Sequence, residues 1–363
     1  MIFKICLLIE QLNRGGAERS AGLLSTILSK LGFEVVIITL YDDIVYPYTG
    51  ELINLGKYKK GSRTVINKFL RYNKLKKTLQ TNHFDLILDF RMKNYPLREF
   101  LLNKVVFKSK MVNMIRHFNL EWYLPNPTFL SKHLYRNYAG INSVSTTIQK
   151  EIEKKYNFKN VSTIHSPVDI NYIVEQYKKE EVKFKEKFVI AVGRLDPIKQ
   201  FDKLIEAYKN SILPEKNISL IILGNGPQKK MLNEIVNKLN LQENVRLIEF
   251  RENPFKYIRK AEFLILSSKG EGFPRVLLES LACETPVIAF DCKSGPSEII
   301  NHNQNGLLVE NQNFTALTMA INELTTNSPL YDKLKANSLK SLEPFSMENI
   351  SKLWKNYIEG LNL

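Results

Sequence analysis

The chain has 363 residues, 44% of them hydrophobic, which is enough for two or three ordinary cores. A net charge of +15 and a pI near 9.4 point to an anionic partner, whether nucleic acid, anionic lipid or a phosphate-bearing ligand. Three cysteines, Cys6, Cys283 and Cys292, with no CxxC spacing, exclude a disulfide framework and a zinc site and fit a reducing cytosol. No segment reaches the roughly 18 apolar residues that a spanning helix needs, and the opening MIFKICLLIE has no signal-peptide pattern.

Residues 2–9 read as a strand, followed by a glycine loop and an amphipathic helix with Leu23, Leu24, Ile27, Leu28 and Leu31 on one face. Strand, glycine turn and helix open a Rossmann-like unit, but Gly15, Gly16, Ala17 and Glu18 do not make a GxGxxG, which disfavours a dinucleotide oxidoreductase. Phe33–Leu40 and 84–90 are further strands, apolar enough to be covered on both faces. Between them, 64–80 is a basic amphipathic helix: Val65, Phe69, Tyr72, Leu75 and Leu79 recur at helical spacing among Lys68, Arg71, Lys74 and other cations. Its apolar stripe faces either the core or an anionic membrane. Residues 111–119 make a strand ending in Arg116, His117 and Phe118, at the edge where open α/β sheets bind ligands. Residues 141–152 pass from strand to a helix capped by Ser145 or Thr146, 161–169 form the last strand and exit loop, and the charged stretch 171–187 reads as an interdomain linker.

The pattern then restarts. Phe188–Val192 is a buried strand, Gly193 turns, and Phe201, Leu204, Ile205 and Tyr208 mark a helix. Between strand and helix stand Arg194 and Lys199, placed where phosphates meet a helix start. A second strand leads into the turn Gly224-Asn225-Gly226-Pro227, and two more strands surround the loop Phe250–Pro254. The second of these, Phe263–Leu266, is a buried strand; Gly270 and Gly272 flank Glu271, Pro274 sits at the first position of a helix, and Glu279 lies on that helix. Two carboxylates thus bracket one phosphate-sized cradle. A further strand, a helix at Phe314–Leu324 and an amphipathic tail at 345–361, with Ile350, Leu353, Trp354 and Ile358 on one side, complete the chain.

The string EGFPRVLLE, with seven residues between Glu271 and Glu279, behind an apolar strand and a glycine, resembles the signature of retaining family 4 glycosyltransferases of the GT-B fold. That resemblance implies an α/β architecture of two Rossmann-like lobes whose parallel sheets face across a cleft. It divides the chain into an acceptor-binding lobe at 1–170, a nucleotide-sugar lobe at 186–345 and a C-terminal helix at 346–363 that returns to the first lobe. It further implies that Glu271 contacts the donor sugar and Glu279 the ribose hydroxyls, with the intervening backbone of Gly272, Phe273, Pro274, Arg275 and Val276 around the donor. Arg194 and Lys199 would neutralise the diphosphate, Gly15 and Gly16 would lie against it, and Gly224 would sit near the nucleotide. Arg251 and Asn253 fall in the loop that holds the base, and His117 would contact the donor sugar or orient the acceptor. For Gly15, Gly16 and Gly224 a plain tight turn is the competing reading. The chain departs from the family at Ser166-Pro167-Val168-Asp169, where relatives carry an asparagine.

The implied activity is transfer, with retention, of a hexose or N-acetylhexosamine from a UDP-sugar to a hydroxyl of a glycan or polyprenyl-linked acceptor in capsule, lipopolysaccharide or other surface polysaccharide synthesis. No essential metal or cofactor is expected, because cations replace it, and nucleic acid is not an expected partner. The expected location is cytoplasmic and peripheral on the inner face of the cytoplasmic membrane, with Lys68, Arg71 and Lys74 toward the lipid. The alternatives are a GT-B-fold sugar-nucleotide epimerase or phosphorylase and, from charge alone, a nucleic-acid-binding protein.

Overall fold

Near-continuous apolar runs, each closed by a polar or glycine turn and followed by a helix, build two separate parallel sheets in a computed structural model that describes residues 3–13, 15–58, 65–107, 109–182 and 184–361. The chain divides into two units, Met1–Pro167 together with Met347–Leu363, and Val168–Ser346. The first unit runs β1 (Lys4–Ile9), α1 (Gly16–Lys30), β2 (Glu34–Thr39), β3 (Glu51–Asn54), α2 (Val65–Asn82), β4 (Leu86–Asp89), α3 (Pro96–Val105), β5 (Lys110–Ile115), α4 (Thr128–Tyr135), β6 (Gly140–Ser143), α5 (Thr146–Tyr156) and β7 (Val161–Thr163). The second runs α6 (Ile170–Lys179), β8 (Phe188–Val192), α7 (Phe201–Lys209), β9 (Ser219–Leu223), α8 (Lys229–Lys238), β10 (Val245–Ile248), α9 (Phe255–Lys260), β11 (Leu264–Leu266), α10 (Arg275–Ala282), β12 (Val287–Phe290), α11 (Pro296–Ile299), β13 (Leu307–Val309), α12 (Phe314–Thr326) and α13 (Ser328–Asn337), after which α14 (Met347–Glu359) belongs to the first unit again.

The first sheet has the order β3-β2-β1-β4-β5-β6-β7 and the second β10-β9-β8-β11-β12-β13. In both, the strand that opens the unit lies inside the sheet: Leu7 pairs with Ile37 and Leu88, and Ile190 with Ile221 and Leu264. The winding therefore reverses between β1 and β4 and between β8 and β11, and the loops leaving those strands diverge to leave a crevice at each reversal. The periodicity places Leu24, Ile27 and Leu28 of α1 in the first core, which Ile350, Trp354 and Ile358 of α14 complete. Leu353, expected on the buried side of α14, is 45% exposed, because the inward stripe is narrower than four positions. Ser145 caps α5, its Oγ accepting from Ile148 N at 3.2 Å.

Three expectations change. The charged stretch read as a linker opens with α6, capped by Asp169, whose Oδ1 accepts from Tyr172 N at 3.0 Å, and packed on α9 within the second unit. Its apolar positions, Ile170, Ile173, Val174 and Tyr177, are at helical spacing, but the surrounding Lys and Glu residues hid them in a compositional reading. Between β10 and β11 the chain forms α9 rather than only a loop, and strand β3 and helices α3 and α4 had no counterpart in the sequence reading. The strand expected at 111–119 stops at Ile115, so Arg116, His117 and Phe118 lie in the loop just beyond β5.

Candidate active site

In the second unit the reversal between β8 and β11 brings together two loops that are far apart in sequence. After β8, Lys199 N donates to Asp196 O at 3.1 Å and Ile198 N to Asp196 Oδ1 at 3.1 Å, which winds the chain into a tight turn. After β11, Lys269 N donates to Ile198 O at 2.8 Å and Ser267 Oγ to Lys199 O at 2.8 Å, tying the two loops. As a result Lys199 Nζ and Glu271 Oε1 meet at 2.6 Å, with the side chains only 18% and 14% exposed. The two residues assigned separately to phosphate and sugar are each other's partners. Arg194 differs: its side chain is 72% exposed, and Nε sits 3.2 Å from Asp196 Oδ2.

Glu271 N donates to Lys293 O at 3.1 Å, and Ser294 Oγ to Gly272 O at 2.7 Å, so the acidic loop is held from the β12 side. Pro274 is the residue before α10, with φ −71° and ψ 94°, and Arg275 is the first helical residue, one position later than expected. Pro274 brings no side-chain cap to the helix, and Leu277 N donates to Pro274 O at 3.0 Å in its first turn. On α10, Arg275 and Glu279 are almost wholly buried, with Nε and Oε1 3.7 Å apart. Phe273 is buried against Phe345, their ring centroids 5.5 Å apart, and Val276 is likewise buried, so those two contribute backbone rather than side chain at the surface.

Gly224 has a steric reason to be glycine: a Cβ there would lie 1.9 Å from Gly193 O, and one at Gly226 would lie 2.3 Å from Leu195 O. The GNGP turn packs directly on the loop that carries Arg194, and Leu195 N donates to Asn225 O at 2.9 Å. Arg251 is exposed, whereas Asn253 Nδ2 donates to Gln176 O of α6 at 2.8 Å. The buried Oδ1 of Asn253 has no hydrogen-bond partner among the described residues.

In the first unit the corresponding reversal carries charge that the sequence reading passed over. Asp89, the last residue of β4, receives Arg91 Nε at 2.9 Å and Nη2 at 2.8 Å, and its Oδ2 lies 3.3 Å from Lys93 Nζ. Arg91 Nη2 also reaches Glu99 Oε2 at 3.3 Å, and all four side chains are buried. Burial alone pushes the Asp89 carboxyl up, but Arg91 and Lys93 outweigh it and hold it below its ordinary value. The signal was present in LILDFRMK, an acid closing an apolar strand with two cations just after it.

Gly15 precedes α1, and a Cβ on it would lie 1.9 Å from Glu18 Oε2. The Glu18 carboxyl is therefore folded back over Gly15, at the helix start that the resemblance assigned to a diphosphate. Burial, with the nearby Glu10 adding to it, pushes the Glu18 carboxyl up to about 7. His117 Nδ1 accepts from Asn119 N at 3.1 Å, which puts the neutral ring's proton on Nε2, and the ring stacks on Trp122 at 4.3 Å. Arg116 is drawn inward instead, Nη2 donating to Asn142 Oδ1 at 2.6 Å, and burial lowers it to about 10. Ser166, standing where an asparagine was expected, shares a hydrogen bond with Ser20 at 2.9 Å. On α2, Leu75 and Leu79 point into the core and Arg71 stacks over Tyr41 at 4.7 Å; the side chain of Lys68 lies outside the described residues, and Lys74 is half-buried.

Among the described residues no three His, Cys, Asp or Glu side chains stand close enough to hold a metal ion, and no helix is long and apolar enough to cross a membrane. Residues 14–172 match the profile of Glycosyltransferase Family 4, and residues 174–341 that of Glycosyl transferases group 1. Over 98% of its length the chain is 30% identical to the whole of an N-acetylgalactosamine-N,N'-diacetylbacillosaminyl-diphospho-undecaprenol 4-alpha-N-acetylgalactosaminyltransferase of Campylobacter jejuni. The chain is a family 4 glycosyltransferase. This glycosyltransferase is also 25% identical to the amylovoran biosynthesis glycosyltransferase AmsD of Erwinia amylovora, over 98% of the chain and 100% of that relative. Its fold is GT-B: it matches Anabaena HepE in complex with UDP and glucose at a TM-score of 0.78 and 19% identity, covering 99% and 100% of the two chains. A Staphylococcus aureus TarM mutant in complex with Fondaparinux, alpha-GlcNAc-glycerol and UDP matches equally, at 0.78 and 16% identity, with 99% and 100% covered.

Proposed function

We propose that this glycosyltransferase moves a hexose or N-acetylhexosamine from a UDP-sugar, with retention, to a hydroxyl of a glycan or polyprenyl-linked acceptor in surface polysaccharide synthesis at an anionic membrane. The Lys199–Glu271 pair at the start of α10 carries the reading. Cleaving the bond between the sugar and the diphosphate builds negative charge on the departing oxygen, so the site needs fixed positive charge there. Lys199 leaves Glu271 for the diphosphate, Arg194 swings in from solvent, and the N–H groups at the start of α10 complete the shell. Glu271, released from the lysine, accepts hydrogen bonds from the donor sugar's hydroxyls, and Glu279 serves the ribose. Charge neutralisation by these side chains is the role a metal ion would otherwise take. His117 offers its Nε2–H to a sugar hydroxyl. No side chain is assigned as a nucleophile.

The donor assignment draws support from structural neighbours that hold UDP, and the lipid-linked acceptor from the Campylobacter relative, whose name specifies a diphospho-undecaprenol substrate. Thermal-shift measurements against UDP-, GDP- and ADP-sugars test it. A donor present at about 100 times its Kd stabilises the folded state by about 2.7 kcal/mol. A panel in which no nucleotide sugar raises Tm would sink the reading, and a GDP- or ADP-sugar acting alone would overturn the choice of UDP.

A further inference from the structure

The most exposed large apolar side chains among the described residues are Leu97, at 74%, and Phe129, at 71%. They stand on two helices that pack against each other. Leu97 and Leu101, the latter 54% exposed, lie one turn apart on α3, Tyr95 precedes that helix at 66%, and Phe129 stands in the first turn of α4, which packs against α3. Isolated exposed leucines need no explanation, but three such side chains on two adjoining helices, with Tyr95 just before the first, do.

Beside the cluster α3 and α4 wall a cavity of about 490 Å³, with Phe100, Phe107 and Met111 as apolar lining and Lys110, His133 and Arg136 around it. A second cavity of about 590 Å³ shares Lys110 and Arg136 and adds Lys159. No aspartate or glutamate lines either one. Lys110 is the first residue of β5, whereas His117 follows the opposite end of that strand, so the cavities open roughly 20 Å from it at about 3.3 Å per residue. The cations lining the cavities therefore lie toward the opposite end of the sheet from His117.

We infer that the α3–α4 face seats the protein on an anionic lipid bilayer. Leu97, Leu101 and Phe129 enter the acyl boundary, Tyr95 lies at headgroup depth, and Lys110, Arg136 and Lys159 meet the lipid phosphates. Charge decides between occupants: a second copy, itself at +15, would bring cation-lined cavities against each other, whereas an anionic bilayer complements both the apolar side chains and the cations of the cavities. Helix α2, the surface first assigned to lipid, has Leu75 and Leu79 buried in the core and so has less to insert. The inference deepens the reading of a membrane-bound enzyme and does not depend on which sugar is moved.

Cosedimentation with phosphatidylcholine vesicles, with and without phosphatidylglycerol, tests it. The wild type binds the anionic vesicles, and Leu97→Asp/Phe129→Asp weakens partitioning about a hundredfold, at about tenfold per apolar side chain withdrawn. Arg71→Gln/Lys74→Gln on α2 changes partitioning by less than about threefold, since neither removes an inserted group. The aspartates sit at exposed positions, so an unchanged thermal shift with UDP shows that the fold and donor site survive. As a second readout, Phe129→Trp gives a blue-shifted emission on vesicle binding that brominated lipid quenches. Wild-type failure to bind anionic vesicles, wild-type-like binding by the double aspartate variant, or a wild-type dimer that the variant converts to monomer would each overturn the inference. None of these readouts requires turnover, so they fail separately from the donor panel.

Discussion

Replacing each partner of the Lys199–Glu271 pair in turn is expected to move UDP affinity in opposite directions. At 2.6 Å and an effective dielectric near 20 their gross attraction is about 6 kcal/mol, but desolvation of two largely buried charges cancels most of it and leaves about 1–3 kcal/mol net. Donor binding must overcome that net term before Lys199 can reach a diphosphate. Glu271→Gln keeps the side-chain size and removes the competing charge, so UDP binds about five- to tenfold tighter. Lys199→Met removes a charge-assisted contact worth about 1.5–3 kcal/mol, and UDP binds about ten- to a hundredfold weaker. In the proposed roles one variant loses a group that stabilises the departing phosphate and the other a ligand of the sugar, so turnover is expected to fall in both by about 10²–10³. Isothermal titration with UDP, with the double variant closing the cycle, measures the coupling. If Glu271→Gln weakens UDP as Lys199→Met does, or if neither moves it, the pair is scaffolding and the exchange of partners is wrong.

Other perturbations test the supports of the site. Gly224→Ala pushes a methyl into Gly193 O and is expected to cost about 2 kcal/mol or more, read as a fall in Tm together with weaker UDP binding. Arg91→Met leaves Asp89 and Glu99 buried with one cation fewer, at a cost of about 3–5 kcal/mol in urea unfolding, whereas replacing Arg91, Asp89 and Glu99 together by apolar residues costs less. Glu18 has a carboxyl raised from 4.5 to about 7, so the folded state holds its proton longer than the unfolded state does. Its contribution is therefore most favourable at low pH, declines as pH rises through the window from about 4.5 to 7, and is flat above it. Glu18→Gln should flatten that part of the stability profile and raise stability at pH 8 by up to about 3 kcal/mol, while an unchanged profile would mean the carboxyl is solvated.

How far each feature could be read in advance follows from where its information lies along the chain. Strands such as Phe188–Val192 are buried on both faces, so they appear as unbroken apolar runs that need no tertiary knowledge. Lys199 and Glu271 each stood out beside a strand end, but their contact spans 72 residues and exists only because the sheet order sets β8 beside β11. The same limit hid the Asp89–Arg91–Lys93–Glu99 cluster, whose members are close in sequence yet become a buried network only when Glu99 folds back from α3. Helices α3 and α4 escaped for a different reason. A period-3.6 reading assumes that large apolar residues face the core, and Leu97, Leu101 and Phe129 violate it by facing solvent. A violation of that kind costs solubility unless something covers it, so a helix whose hydrophobic pattern does not fit its own core is a place to look for an external partner. By that argument the failure of the periodic reading at α3 and α4 and the inferred lipid seat have one cause, and the vesicle measurement tests both.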